Sequence, residues 1–152
     1  MGVLDASVAV KCLVEEAGSD LARAAIAQRS DWTAPDLIFL EVASVALKSL
    51  RRGWLARDQA EAMVRNLPEL LADVAPARTL ADAAFTLAAD HGFSAYDAAY
   101  LALAEATDSW VLTADIKLAL RARSAGLAKL VRTLDGNDPL ANRLGPVGRC
   151  RP

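Results

Sequence analysis

Short runs of apolar residues alternate along the chain with longer segments in which apolar residues recur every three or four positions. A short apolar run is typical of a buried strand, whereas the longer period is typical of an amphipathic helix. Strands are predicted at residues 2–4, 32–33, 70–74, 110–112 and 129–134. Helices are predicted at residues 8–16, 21–28, 35–52, 58–67, 80–90, 94–106 and 116–125.

Strands separated by helices of this length are expected to pair in parallel, with helices on both faces of the sheet. We therefore predict an α/β fold, a three-layer α/β/α sandwich around a parallel sheet of about five strands. Residues 94–106 are apolar nearly all round, which predicts a buried helix. From residue 135 onward Gly, Pro, Asn and Arg dominate without a period. Residues 1–134 are thus expected to form one domain, and residues 135–152 a flexible C-terminal tail.

Composition and charge indicate which classes of protein the chain can belong to. Hydrophobic residues make up 54% of the chain and aromatic residues 5%, as in a globular domain packed through small side chains. The formal net charge of -2 gives no uniform positive field, so any contact with nucleic acid has to be local. The two cysteines fit neither a disulfide framework nor a zinc motif, and we see no leader or bilayer-length apolar run. A cytoplasmic protein is expected.

Two acidic residues follow predicted strands. Asp5 comes directly after residues 2–4, and Asp115 lies just beyond the strand at residues 110–112. Ligands of parallel α/β sheets bind beyond the carboxyl ends of the strands, so both carboxylates are candidates for a site there. The alternative for each is a helix N-cap, because Asp readily caps a helix that follows it.

Two further acidic residues, Glu41 and Asp97, lie in predicted helices beside apolar residues. The positions three and four residues from Glu41 are mostly apolar, which places it on a core-facing stripe where a carboxylate needs a cation. Lys48, about two helical turns further on, is the alternative partner for Glu41. Asp97 lies three residues after Ser94, a spacing that also fits a capping box.

Together these carboxylates predict one acidic pocket. Two strand-end acids and two helix acids can converge at one end of a parallel sheet, where their mutual repulsion calls for a divalent cation. Ligation by oxygen alone suits Mg²⁺ or Mn²⁺ and not zinc. The predicted metal ligands are Asp5, Glu41, Asp97 and Asp115.

Each of these acids lies in a short motif. The four motifs are residues 3–7 (VLDAS), 35–41 (PDLIFLE), 94–104 (SAYDAAYLALA) and 112–115 (LTAD). In their order and spacing the chain resembles the PIN-domain ribonucleases, and most closely the VapC-type toxins of bacterial toxin–antitoxin pairs. The resemblance covers residues 1–134. It implies the PIN-like form of the sandwich fold and endonucleolytic cleavage of RNA by water activated on Mg²⁺ or Mn²⁺. It also implies a homodimer and a small cognate antitoxin whose C-terminal segment lies across the active-site groove.

The resemblance makes the same four acids catalytic. Asp5 and Asp97 are the expected primary metal ligands. Glu41 is expected to hold a ligand water or a second metal, and Asp115 to orient the nucleophile or complete the cage.

Other polar and basic residues near the motifs are candidates for substrate binding. The resemblance makes Ser7 and Thr113 polar helpers of the pocket. Lys48, Arg51 and Arg52 follow the PDLIFLE motif on the same predicted helix and can contact phosphates. The alternative for these three is a solvated helix end whose positive charge complements the helix dipole.

Three other functions stay open. A phosphatase with an aspartyl nucleophile also carries an Asp after its first strand, but such enzymes typically have a second Asp two residues on, where this chain has Ser7. A catalytically silent PIN-like partner-binding module would use its acids only as helix caps and would bind no metal. A PIN nuclease that acts in RNA processing or on DNA has the same motifs.

Overall fold

A computed structural model describes residues 1–134, and the predicted tail at residues 135–152 lies outside the described residues. One parallel sheet runs in the order β3-β2-β1-β4-β5. Its strands are β1 (Gly2–Leu4), β2 (Trp32–Pro35), β3 (Asp73–Ala75), β4 (Val111–Thr113) and β5 (Val131–Thr133). The α-helices are α1 (Ala6–Leu13), α2 (Ser19–Ile26), α3 (Ile38–Arg51), α4 (Arg57–Asn66), α5 (Ala77–His91), α6 (Ala95–Ala106) and α7 (Ile116–Ser124).

The sheet has a topological switch point at its centre. The chain runs outward from β1 through β2 to β3, and then crosses to β4 on the other side of β1. Open α/β sheets bind ligands at such a point, beyond the carboxyl ends of the strands. Because Leu4 of β1 pairs with Leu112 of β4, Asp5 and Thr113 follow at neighbouring positions of that edge. The Asp5 N–H extends the pairing by donating to the Leu112 carbonyl at 3.1 Å.

Helices cover the sheet and enclose the core. Helix α6 packs on β1, β2 and β4 with α5 alongside, while α1 packs with α2, α3 and α4. The predicted three-layer α/β/α sandwich is confirmed. Every residue from 98 to 104 in α6 is buried, so the prediction of a buried helix is also correct. Within residues 1–134, no helix is long and apolar enough to cross a bilayer.

Several predicted bounds are wrong. Pro35 does not open α3 but ends β2, where it pairs with Ala75, and the helix begins three residues later. The strand predicted at residues 70–74 begins three residues later, as β3, because residue 70 is the last residue of a 3₁₀ helix, Leu67–Leu70. A second 3₁₀ helix, Ala128–Leu130, occupies the start of the last predicted strand. A short apolar run fits a 3₁₀ turn with a buried side chain as well as it fits a strand, so periodicity could not separate the two.

Candidate active site

A cleft of about 510 Å³ lies at the carboxyl end of the sheet. It is bordered by residues of α1, α3, α6 and α7 together with the ends of β1 and β4. The four predicted acids all line it: Asp5, Glu41, Asp97 and Asp115. The other lining residues are Ala6, Ser7, Val10, Lys11, Glu16, Val45, Ala114 and Leu118.

Asp5 is the most deeply buried of the four acids, with 9% of its surface exposed. Its Oδ2 accepts hydrogen bonds from the hydroxyls of Ser7 and Thr113, each at 2.5 Å. Each hydroxyl also accepts a backbone N–H at 2.9 Å, Ser7 from Ala114 and Thr113 from Asp115. Asp5 occupies the N-cap position of α1 but makes no side-chain cap hydrogen bond, so the capping alternative is wrong for this residue.

Within residues 1–134 the carboxylate of Asp5 has no cationic partner. Burial raises the pKa of Asp5, while the hydrogen bonds from Ser7 and Thr113 lower it and the charge of Asp97 raises it further. None of the ion pairs formed by residues 1–134 involves any of the four acids. The ionised carboxylate is therefore penalised by its surroundings, as expected for a group that lacks a nearby positive charge.

Glu41 reaches the cleft from the first turn of α3 and is held by a tyrosine. The Tyr100 hydroxyl donates to Glu41 Oε2 at 2.5 Å. Burial raises the pKa of Glu41, the hydrogen bond from Tyr100 lowers it, and the charges of Asp5 and Asp97 raise it. Burial and the charge of Glu41 also raise the pKa of Tyr100, so the phenol keeps its proton and acts as the donor. The alternative pairing of Glu41 with Lys48 does not occur among the ion pairs of residues 1–134.

The remaining two acids sit at helix N-termini. Ser94 caps α6 by accepting the N–H of Asp97 at 3.0 Å. The Asp97 carboxylate accepts no hydrogen bond from residues 1–134 and faces the cleft. Asp115 caps α7, because its Oδ1 accepts the N–H of Lys117 at 2.7 Å and of Leu118 at 3.2 Å. For Asp115 the capping alternative is thus correct, and the same side chain also lines the cleft.

The sequence model of the PIN domain family matches residues 2–124 of this chain. The matched region contains all four acids and the strands β1 to β4. The chain belongs to the PIN-domain family. The prediction made from the four motifs is therefore confirmed at the level of the family.

Individual proteins of the PIN-domain family show which of its members this chain is similar to. Ribonuclease VapC3 of Pyrobaculum aerophilum is 40% identical over 120 residues, which span 77% of this chain and 91% of that protein. Ribonuclease VapC1 of Mycobacterium tuberculosis is 30% identical over 131 residues, which span 86% of this chain and 97% of that protein. The VapC-type resemblance is confirmed. The crystal structure of PAE2754 from Pyrobaculum aerophilum, at 20% identity, covers 93% of both chains with a TM-score of 0.63, which supports the fold alone.

The donor set of this PIN cleft fits a hard divalent cation, although no closed cage is formed. No three carboxylate, imidazole or thiol side chains within residues 1–134 converge closely enough to hold one ion. Mg²⁺ commonly keeps several waters and takes one or two protein carboxylates. Four acids without ion-pair partners on one cleft therefore suit a hydrated cation bound by one or two of them, rather than a four-ligand cage.

The basic residues predicted to bind substrate lie to one side of the cleft. Lys48 lines a neighbouring hollow of about 400 Å³ that also includes Glu41. Arg51 and Arg52 are exposed at the end of α3, and the Arg52 guanidinium stacks 4.7 Å from the ring centroid of Trp54. The structure therefore connects Lys48 to the acidic site directly and leaves the two arginines further along the same helix.

Three residues of the site were not predicted from the sequence. Tyr100 lies in the SAYDAAYLALA motif but was given no role, although a tyrosine within the buried stretch 98–104 signals a phenol that needs a hydrogen-bond partner. Lys11 and Glu16 also line the cleft, where Lys11 Nζ donates to Glu16 Oε1 at 2.9 Å. No sequence signal separates that pair from an ordinary surface ion pair.

Proposed function

We propose that this chain is a Mg²⁺- or Mn²⁺-dependent endoribonuclease and the toxin of a toxin–antitoxin pair. The observation that carries the proposal is the set of four carboxylates on one cleft, at the switch point of the sheet, with no ion-pair partner within residues 1–134. The VapC relatives are named ribonucleases, which supports RNA as the class of substrate.

Asp5 and Asp97 are the proposed primary metal ligands, and Glu41 and Asp115 are proposed to contact the ion through its bound water. When bound, a divalent cation lowers the pKa of a water molecule and neutralises the charge that develops on a phosphodiester. Asp97 is open to such a role because its carboxylate accepts no hydrogen bond from residues 1–134. Asp115 keeps α7 capped through one oxygen, so its second oxygen is the one proposed to face the attacking water.

Ser7 and Thr113 are proposed to act through Asp5. Both hydroxyls donate their hydrogen bond to Asp5 Oδ2, so neither is free to donate a hydrogen bond to RNA. Their hydrogen bonds favour the ionised carboxylate and fix its direction, which is what a metal ligand requires. This role replaces the direct substrate contact that the sequence had suggested for them.

Water is the proposed nucleophile, and the thiol of the described region is unsuited to that role. Burial raises the pKa of Cys12 to about 11, so its thiol stays protonated at neutral pH. Cys12 is also absent from the lining of the cleft. Hydrolysis by an activated water leaves the protein without a covalent intermediate.

Lys48, Arg51 and Arg52 are proposed to contact RNA phosphates beside the cleft. A polyanion that approaches four carboxylates needs positive charge nearby. Lys48 and Arg51 lie in the last turn of α3, and Arg52 is its C-cap. Because phosphate contacts carry no sequence information, these residues are expected to affect affinity for all RNAs alike.

We also propose a homodimer and a small cognate antitoxin, as the VapC relationship implies. An antitoxin segment over this cleft would bring a cationic side chain to the acids and an apolar one to the adjacent hollow. Leu40, which is 78% exposed, and the hollow lined by Leu37 and Val45 offer apolar surface directly beside Glu41.

Cleavage of a structured RNA pool by the purified, antitoxin-free protein tests the proposed function. We expect Mn²⁺-dependent cleavage that EDTA abolishes and that Asp97→Asn lowers by about 100-fold or more. Asp58→Asn is the matched control, because Asp58 is likewise an acid in the first turn of a helix but lies outside the cleft. Cleavage that persists in EDTA, or in Asp97→Asn at the rate of Asp58→Asn, would refute the proposal.

A further inference from the structure

Tyr100 joins two helices that are distant in sequence but meet beneath the cleft. It lies on α6, with 1% of its surface exposed, and its hydroxyl donates to Glu41 on α3 at 2.5 Å. The hydroxyl of a buried tyrosine costs free energy unless it finds a hydrogen-bond acceptor. In residues 1–134 that acceptor is an acid of the candidate active site and not a backbone carbonyl.

The hydrogen bond restricts the side-chain conformation of Glu41 more than that of Tyr100. Tyr100 is fixed by its packing in the wholly buried stretch 98–104 of α6. Glu41 is only partly buried and has three rotatable side-chain bonds, so its carboxylate could otherwise turn toward solvent or into the neighbouring hollow. The Tyr100 hydroxyl holds Oε2 of Glu41, and this hydrogen bond restricts the directions in which the other carboxylate oxygen can point.

We propose that Tyr100 is a positioning residue that holds the Glu41 carboxylate in the cleft, in the orientation in which Glu41 contributes to binding a divalent cation. The inference rests on the proposed function, since it assigns Tyr100 a part in the same metal site. Groups that orient metal ligands by hydrogen bonds commonly change metal affinity by 10- to 100-fold when removed. A phenol that only satisfies its own buried hydroxyl would leave metal affinity unchanged.

Mn²⁺ binding to the full-length, metal-free protein tests this role without reference to activity. Tyr100→Phe removes one oxygen and keeps the ring that packs in α6. We expect the dissociation constant for Mn²⁺, measured by electron paramagnetic resonance of the free ion, to rise by about tenfold. Tyr96→Phe is the matched control, because Tyr96 lies one turn earlier on the same helix and is 65% exposed, and its affinity is expected to equal that of the wild type.

A double-mutant cycle separates positioning from a general loosening of the fold. In the Glu41→Gln background the carboxylate that Tyr100 orients is gone, so adding Tyr100→Phe is expected to change the Mn²⁺ dissociation constant by less than about twofold. Thermal melting in EDTA establishes that each variant is folded. An unchanged dissociation constant in Tyr100→Phe, or an equal rise in both backgrounds, overturns the inference. Failure of the wild type to bind Mn²⁺ would instead remove the proposed metal site itself.

Discussion

At the scale of single residues, Asp5 shows the conflict between a binding site and a stable fold. Its carboxylate is buried at the end of β1 without an ion-pair partner in residues 1–134, and that burial raises its pKa. The hydroxyls of Ser7 and Thr113 offset part of the penalty. A carboxyl with a raised pKa in the folded state stabilises the fold when protonated, and this contribution is lost as pH rises through the raised pKa.

Asp5→Asn should therefore stabilise the metal-free protein, and more so at higher pH. Below about pH 3, where Asp5 is protonated in both the folded and the unfolded chain, the stability difference between variant and wild type is expected to be smallest. As pH rises through the raised pKa, the variant should gain unfolding free energy relative to the wild type. Urea denaturation of the metal-free protein between about pH 3 and 8 measures the difference.

Asp58→Asn provides the comparison, because Asp58 lies on the exposed first turn of α4. If the stability difference between Asp5→Asn and wild type changed with pH no more than the difference between Asp58→Asn and wild type, the burial penalty assigned to Asp5 would be wrong.

At the scale of elements, Asp115 serves two purposes at the start of α7. Its Oδ1 accepts two backbone N–H groups of the first turn, and the same carboxylate lines the cleft. The sequence could not separate the capping role from the role in the cleft. Where a helix directly follows a strand, the helix N-cap and the residue at the strand end occupy the same position. Substitution can separate them, since Asn caps a helix as well as Asp but carries no charge.

We predict that Asp115→Asn keeps the stability of the protein and loses cleavage, whereas Asp115→Ala loses both. Removing the cap should cost about 1 kcal/mol, while Asn in its place should cost a few tenths or less. Urea denaturation gives the stabilities, and initial rates on one RNA substrate give the activities. An Asn variant that cleaves as fast as wild type would mean that Asp115 is only a cap.

The sequence predicted the alternation of helices and strands, and with it the sheet edge that carries the acids. Asp5 and Asp115 could be placed at this edge because each closely follows a predicted strand in the sequence, and that position does not depend on how distant elements pack. The bond between Glu41 and Tyr100 could not be predicted, since it joins α3 to α6 and depends on how the two helices pack. The start of α3 was misplaced because Pro35 suits a strand end as well as a first helical turn.

At the scale of the whole molecule, the two ends of the sheet differ in character. The four acids lie at the carboxyl end. At the amino end, aromatic rings pack against each other and against arginine side chains. Trp32 and Trp110 meet edge to face with ring centroids 5.6 Å apart, and Arg132 stacks 3.9 Å from the ring centroid of Trp110. The amino end thus supplies stability through packing, and the site lies at the opposite edge.

Gly2→Ala should destabilise the fold without affecting the site. A Cβ at Gly2 would lie 2.6 Å from Trp32 Cζ3 and 2.9 Å from its Cε3, and the buried ring has little room to move. Overpacking of this kind costs about 1–3 kcal/mol. We expect a lower melting temperature in EDTA together with a wild-type dissociation constant for Mn²⁺. A folded Gly2→Ala protein that no longer binds Mn²⁺ would show that the two ends are coupled.

The central claim is that the four-acid cleft binds a divalent cation, and calorimetric titration of Mn²⁺ into the metal-free protein tests it most directly. The account predicts saturable binding to the wild type and to Asp58→Asn, and binding weaker by about tenfold or more in Asp5→Asn. No saturable binding to the wild type, or equal affinity in Asp5→Asn, would contradict the account and favour a module whose acids serve only the fold.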